Sequence, residues 1–276
     1  MTHQLKFGFL LVLCGVLPAT AQTDPIDAKQ AVVIIQHDGS EGQVRVNGIP
    51  VLFFSSSSAL GEEALTDSLG TFSTFARNGP NLLTVEARSE KGQAHATTTV
   101  SAIATTGSLS DLDKPPLFKE TITGSGKSEK TIILKNVPRW AFLEVQPFAG
   151  NKDDVLTAVR NLHKAFADHD AKALQTAFKP MYDDLLPYVG EAVGSPAQFA
   201  AQMTELATNS KVEPLPADLK VESGYGDRLF IVTTPSGKAP IQAASRQLSQ
   251  DGKPQWTMHT GMYWIHRTDG WFVIRR

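Results

Sequence analysis

Apolar and polar positions along this chain follow two different periods. Between Ala31 and Val145 the apolar residues come in short runs or alternate with polar ones. The runs are Ala31–Gln36, Val44 with Val46, Ile49–Phe54, Leu83-x-Val85-x-Ala87 and Thr97–Ile103. Asn47-Gly48, Asn78-Gly79-Pro80-Asn81 and Glu90-Lys91-Gly92 separate them, and these are the residue types that tight turns require. A loose loop is expected from Ser55 to Gly70, and a polar link over Thr105–Pro116. Phe118–Thr123, Lys130–Val137 and Trp140–Val145 predict further strands. Short strands at this spacing predict a β-sandwich.

From Asp153 the period becomes helical: Val155, Leu156, Val159, Leu162 and Phe166 recur on one face. Asp168-His169-Asp170 breaks this helix, and Asp170 is placed to cap the next, Ala171–Phe178. Pro180 predicts the start of a third helical segment, Met181–Val189. Ser195-Pro196 predicts a capped fourth, carrying Phe199, Met203 and Leu206. Strands are then expected at Leu219–Glu222, Leu229–Thr233 and Pro240–Leu248, followed by a closing hairpin around Asp269-Gly270. A two-residue loop there sets Thr268 opposite Trp271, His266 opposite Val273 and Trp264 opposite Arg275. Tyr263, Ile265, Phe272 and Ile274 fall on the other face. Both faces are largely apolar, so both need cover. Helices can cover one, and another domain, a second subunit or a partner must cover the other.

Val46-Asn47-Gly48, the stretch Gly79–Ala87 and Gly92 resemble the bacterial immunoglobulin-like domains of exported proteins. Lys164–Leu174 and Asp269-Gly270-Trp271-Phe272-Val273-Ile274 resemble the nuclear-transport-factor-2-like (SnoaL-like) cone. These resemblances imply an all-β immunoglobulin-like sandwich over residues 22–150, followed by an α+β cone over residues 151–276. Ketosteroid isomerases share the cone, but Leu162 stands where they carry a tyrosine. The stretch Lys179–Asp184 reads as helix where they place an acidic base on a strand. The resemblance therefore implies the fold without that reaction.

Length and charge fit this picture. The chain has 276 residues, enough for two domains, with 26 basic against 28 acidic residues. No basic run marks a nucleic-acid groove. Lys6, the apolar run Phe7–Leu17 and Ala19-Thr20-Ala21 predict a secretory signal peptide over residues 1–21, cleaved after Ala21. The run is too short for a stable membrane anchor, so a periplasmic or secreted location is expected. The single cysteine, Cys14, lies inside that segment, so the mature chain is expected to hold neither disulfide nor thiolate metal site.

Candidate chemistry is sparse. His163, beside the apolar stripe of the first helix, is a candidate general base with Tyr182 or Asp183. The competing reading makes His163 a hydrogen-bonded residue at a core edge and Tyr182–Asp184 a solvated helical turn. Asp168-His169-Asp170 has ligand-type residues, but neighbours on a turn do not converge on one ion, so no metal and no cofactor are expected. Trp256, Met258, Met262 and Trp264 are expected to line a pocket, open to a small apolar ligand or plugged as core. His259 and Tyr263, with Arg267, and the apolar Ile265, Phe272 and Ile274 are expected to form an outer binding face for a protein partner or second copy. Three functions stay open: a non-catalytic exported binding module, which is preferred; a small-molecule lyase, isomerase or hydrolase; and a structural envelope component.

Overall fold

The computed structural model describes residues 25–28, 31–55, 68–70, 72–90, 96–104, 116, 118–190 and 194–275. The expected signal peptide, most of the Ser55–Gly70 loop and residues 105–115 of the expected link lie outside these. In the N-terminal half the strands are β1 (Ile26–Asp27), β2 (Ala31–Asp38), β3 (Ser40–Val46), β4 (Ile49–Ser55), β5 (Ser68–Gly70), β6 (Gly79–Ser89), β7 (Thr97–Ala104), β8 (Phe118–Thr123) and β9 (Gly126–Lys135). They form two sheets, ordered β1-β9-β6-β3-β4 and β5-β2-β7-β8. Only Gly39 separates β2 from β3, yet they belong to different sheets. Its φ of 58° turns the chain from one sheet into the other. The Ser40 hydroxyl holds this corner by donating to the Thr97 carbonyl at 3.0 Å. Val33, Ile35, Val100 and Ala102 from one sheet share a core with Val44, Val46, Leu83, Val85, Ile132 and Leu134 from the other.

The strand expected at Trp140–Val145 is instead a single helical turn, α1 (Ala141–Glu144). Trp140 and Phe142 are both fully buried. A six-residue apolar run does not distinguish strand from buried helix, and here the partner decides. The Asp184 carboxylate, from the C-terminal half, accepts the Ala141 N–H at 2.7 Å.

The C-terminal half begins with α2 (Val155–Ala167), α3 (Ala171–Val189) and α4 (Pro196–Asn209). Asp170 caps α3 by accepting from Ala173 N, and Ser195 with Gln198 forms a reciprocal capping box on α4. The two segments expected around Pro180 are one helix, with Pro180 and Pro187 inside it. Pro180 gives up one helical N–H, but burial of Phe178, Met181 and Tyr182 around it holds the helix continuous.

Seven strands follow: β10 (Ser210–Val212), β11 (Lys220–Gly224), β12 (Leu229–Thr233), β13 (Ile241–Ser245), β14 (Thr257–Thr260), β15 (Tyr263–Arg267) and β16 (Gly270–Arg275). They make two sheets, β10-β13-β14 and β11-β12-β15-β16, where one curved sheet was expected. The break falls at Gly261-Met262, with Gly261 at φ 79°. In the closing hairpin the loop is Thr268-Asp269: Trp264 pairs with Val273, His266 with Trp271 and Arg267 with Gly270. The pairing is two residues away from the expected one. An even slip preserves side-chain parity, so the expected division of the hairpin faces survives.

The largest departure concerns fold class. An immunoglobulin-like sandwich followed by a separate α+β cone is not what the chain forms; the described residues are mostly β, with four sheets among them. The core of the N-terminal sheets continues into Leu229, Ile231, Met262, Tyr263, Ile265 and Ile274. The opposite face of the same C-terminal sheet, Phe230, Val232, Trp264 and Val273, packs with the helices. The sheet β11-β12-β15-β16 is therefore a shared middle layer. β12, β15 and β16 carry apolar residues on both faces, so each side needs its own cover. The N-terminal sheets supply the cover that the sequence left unassigned.

Polar contacts fix how these layers dock. The Tyr263 hydroxyl donates to the Pro50 carbonyl and the Tyr225 hydroxyl to the Phe75 carbonyl. Asn47 Nδ2 donates to the Tyr225 oxygen at 2.8 Å. The rings follow: Phe75 lies 4.6 Å from Tyr263, and Phe142 lies 4.8 Å from Tyr225. A Cβ on Gly224 would sit 2.2 Å from Ile49 Cδ1, so a larger residue there would require the buried Ile49 side chain to shift.

Burial pushes the Tyr263 phenol well above its ordinary range, and burial also raises Tyr225, partly offset by the Asn47 hydrogen bond. The folded state thus disfavours the phenolate. This contribution to stability is complete below the ordinary tyrosine pKa of about 10 and is lost as pH rises beyond it. Tyr263→Phe removes the donor and leaves the Pro50 carbonyl without it. A loss of about 1–3 kcal/mol is expected in urea unfolding at pH 7, with a shallower fall in stability above pH 10 than in the wild type. An unchanged midpoint at pH 7 would remove Tyr263 from the clasp.

Candidate binding cleft

Between α2 and α3 lies a cleft of about 750 Å³. From α2 and the Asp154 that precedes it the cleft takes one helical stripe: Asp154, Ala158, Asn161 and Ala165, with Thr157 and Leu162 beside them. From α3 it takes Asp170, Lys172, Ala173, Thr176 and Ala177. Trp264, Trp271 and Phe272 from β15 and β16 line it from the sheet side. The cleft exists because small side chains stand on both facing stripes, where larger apolar residues would bring the helices into closer side-chain contact. Asp154 and Ala165 are eleven residues apart, which is about 16 Å of helix.

The surroundings are fixed. Trp264 Nε1 donates to the Gly261 carbonyl at 2.6 Å, so its buried indole is satisfied. Trp271 is braced by Phe230, Phe148 and His266, at ring separations of 4.9, 4.8 and 5.0 Å. Phe148 arrives from the segment leading into α2. A Cβ on Gly150 would lie 2.4 Å from the Phe148 ring, so glycine permits this fold-back. Phe148 N–H also donates to the Asp227 carbonyl at 2.9 Å. Arg267 lies over Phe272, 5.9 Å from the ring centre.

The α2–α3 turn closes one end. His169 adopts φ 59° there. Its Nδ1 is 2.7 Å from the Ala207 carbonyl and its Nε2 is 2.8 Å from Arg246 Nη2. Arginine can only donate, so Nε2 accepts and Nδ1 carries the proton. Arg246 also donates through Nε to the Ser210 carbonyl at 3.1 Å. The Asp168-His169-Asp170 run is thus an interhelical turn tied to the end of α4. Among the described residues no group of three or more His, Cys, Asp or Glu side chains is arranged to hold a metal ion.

The residues singled out in the sequence scatter. Trp264 lines the cleft. Trp256 and Met258 are half-buried against the helix-side core but do not line it, and Met262 belongs to the opposite core. The Gly261-Met262 break is the reason: one continuous strand would have kept all four on one face. Tyr263, Ile265 and Ile274 are buried against the N-terminal sheets, so the expected outer binding face is an internal surface. Phe272 is half-buried, packing on that core and also lining the cleft. His259 is exposed on β14, apart from Tyr263 on β15.

Nor do the candidate catalytic groups meet. His163 Nε2 is 2.9 Å from the Glu213 carbonyl, and Tyr182 stacks on Phe199 and donates to the Gly194 carbonyl at 2.9 Å. Asp183 accepts from Lys179 at 2.7 Å on the helix surface. None of the three lines the cleft. Trp271 and the alanine stripes were not singled out from sequence, although Ala158 with Ala165 and Ala173 with Ala177 stand at helical spacings that put each pair on one face.

No protein-family model, curated protein or solved structure matches this chain. Among the described residues no helix is long and apolar enough to cross a membrane.

Proposed function

We propose that this is an exported binding protein whose α2–α3 cleft takes up a small ligand with an apolar body. The cleft itself carries this reading: about 750 Å³ lined by Trp264, Trp271 and Phe272 and walled by alanines, with polar side chains at its edges. Ligand sites are concave and mostly apolar, with a few polar groups that orient the guest. The dispersal of His163, Tyr182 and Asp183 favours uptake over catalysis. Export rests on the Lys6–Ala21 pattern.

N-phenyl-1-naphthylamine, an uncharged apolar dye, tests the cleft. Its fluorescence should rise on titration into the wild type. Ala173→Trp fills the space between the helices and should weaken dye binding at least about tenfold, with the far-ultraviolet circular dichroism spectrum preserved. Equal binding by a folded Ala173→Trp protein would place any apolar site elsewhere.

A further inference from the structure

The charges around the cleft are unevenly used. Asp170 directs Oδ1 to Ala173 N at 2.9 Å as the cap of α3. Asp154 stands at the head of α2 without making a side-chain cap bond, and no ion pair engages it among the described residues. Trp271 lines the same cleft. Phe148, which rests on Trp271 at 4.8 Å, leads within a few residues into the turn that holds Asp154. Lys172 stands in the first turn of α3, toward the interhelical end.

We propose, resting on the cleft reading above, that the ligand is an amphipathic cation: an elongated apolar body carrying an ammonium group that sits between Asp154 and Trp271. A carboxylate beside an aromatic face attracts an ammonium twice, by direct charge and by the ring quadrupole. The same carboxylate repels an anionic head. Thr157 and Asn161, which line the cleft from α2, offer a hydroxyl and an amide carbonyl to ammonium N–H groups. Beyond them the alanines and Trp264 take the apolar body, and about 16 Å of groove suits a chain rather than a compact ring system.

Three probes with one tail test this: decylammonium, decanoate and decanol, each competing with N-phenyl-1-naphthylamine below its aggregation concentration. The cation should displace the dye at a concentration at least tenfold lower than decanoate or decanol. Asp154→Asn should erase that advantage while leaving decanol unchanged. Decanoate competing as well as the cation, or a cation preference that survives Asp154→Asn, would overturn the charge assignment and leave the cleft reading intact. Failure of the wild type to bind the dye, or displacement unaffected by Ala173→Trp, would overturn both.

Discussion

Ile265→Asp should unfold the protein from the inside of its middle layer. Ile265 is fully buried in a core drawn from both halves of the chain, including Val44 and Leu83 as well as Ile231 and Ile274. Replacing it removes a large apolar side chain, worth about 1.5–3 kcal/mol of burial. It also places a carboxylate where the surroundings are apolar, a cost of several kcal/mol more. The expected total, about 4 kcal/mol or more, is a large part of the stability of an ordinary domain. On sequence alone this change would only detach the cover of that face, whether another domain, a second subunit or a partner, since it lies outside the helix-facing side of the hairpin. The structure makes that second side core as well. Calorimetry should show the cooperative transition lost, or its midpoint lowered by about 10 °C or more. A midpoint within a few degrees of wild type would mean that Ile265 is not enclosed by the N-terminal sheets.

A fragment of residues 153–276 should fail to persist as a folded monomer. Without the N-terminal sheets, Leu229, Ile231, Tyr263, Ile265 and Ile274 would lie open to water. At about 1.5–3 kcal/mol each, five such side chains forfeit about 7–15 kcal/mol, comparable with the whole stability of a domain. The Tyr225 and Tyr263 hydroxyls would also lose their acceptors at Phe75 and Pro50. The fragment should unfold or self-associate through that face. Size-exclusion chromatography with light scattering, and urea unfolding followed by tryptophan fluorescence, check this. A monomer with a sigmoidal transition would show that the helices and the C-terminal sheets suffice on their own. Adding residues 22–150 in trans should restore solubility if docking drives the assembly.

The candidate cleft was only partly legible beforehand. Trp264 could be assigned to the helix side because strand alternation is local. Met262 could not, because the Gly261-Met262 break belongs to the meeting of two sheets. The alanines of α2 and α3 read as ordinary helix formers until the two helices are set side by side. Phe148 was not singled out in the sequence, and its place against Trp271 depends on Gly150 and on the Asp227 carbonyl. His163 and Tyr182 were visible as residue types, but their carbonyl partners, Glu213 and Gly194, are set by the packing of other segments.

The local elements follow directly from the order of residues. Asn47-Gly48 sets the β3–β4 turn, Asp170 and Ser195 start their helices, and alternation divides the closing hairpin into two apolar faces. These follow from backbone sterics, capping and side-chain direction, which act over a few residues. Long-range packing sets which surface covers each face, where the C-terminal strands split into two sheets, and that Pro180 lies inside a helix. Those outcomes depend on contacts between distant segments, such as Pro50 with Tyr263 and Ala141 with Asp184. An apolar stripe states that it must be buried, and it carries no record of its partner.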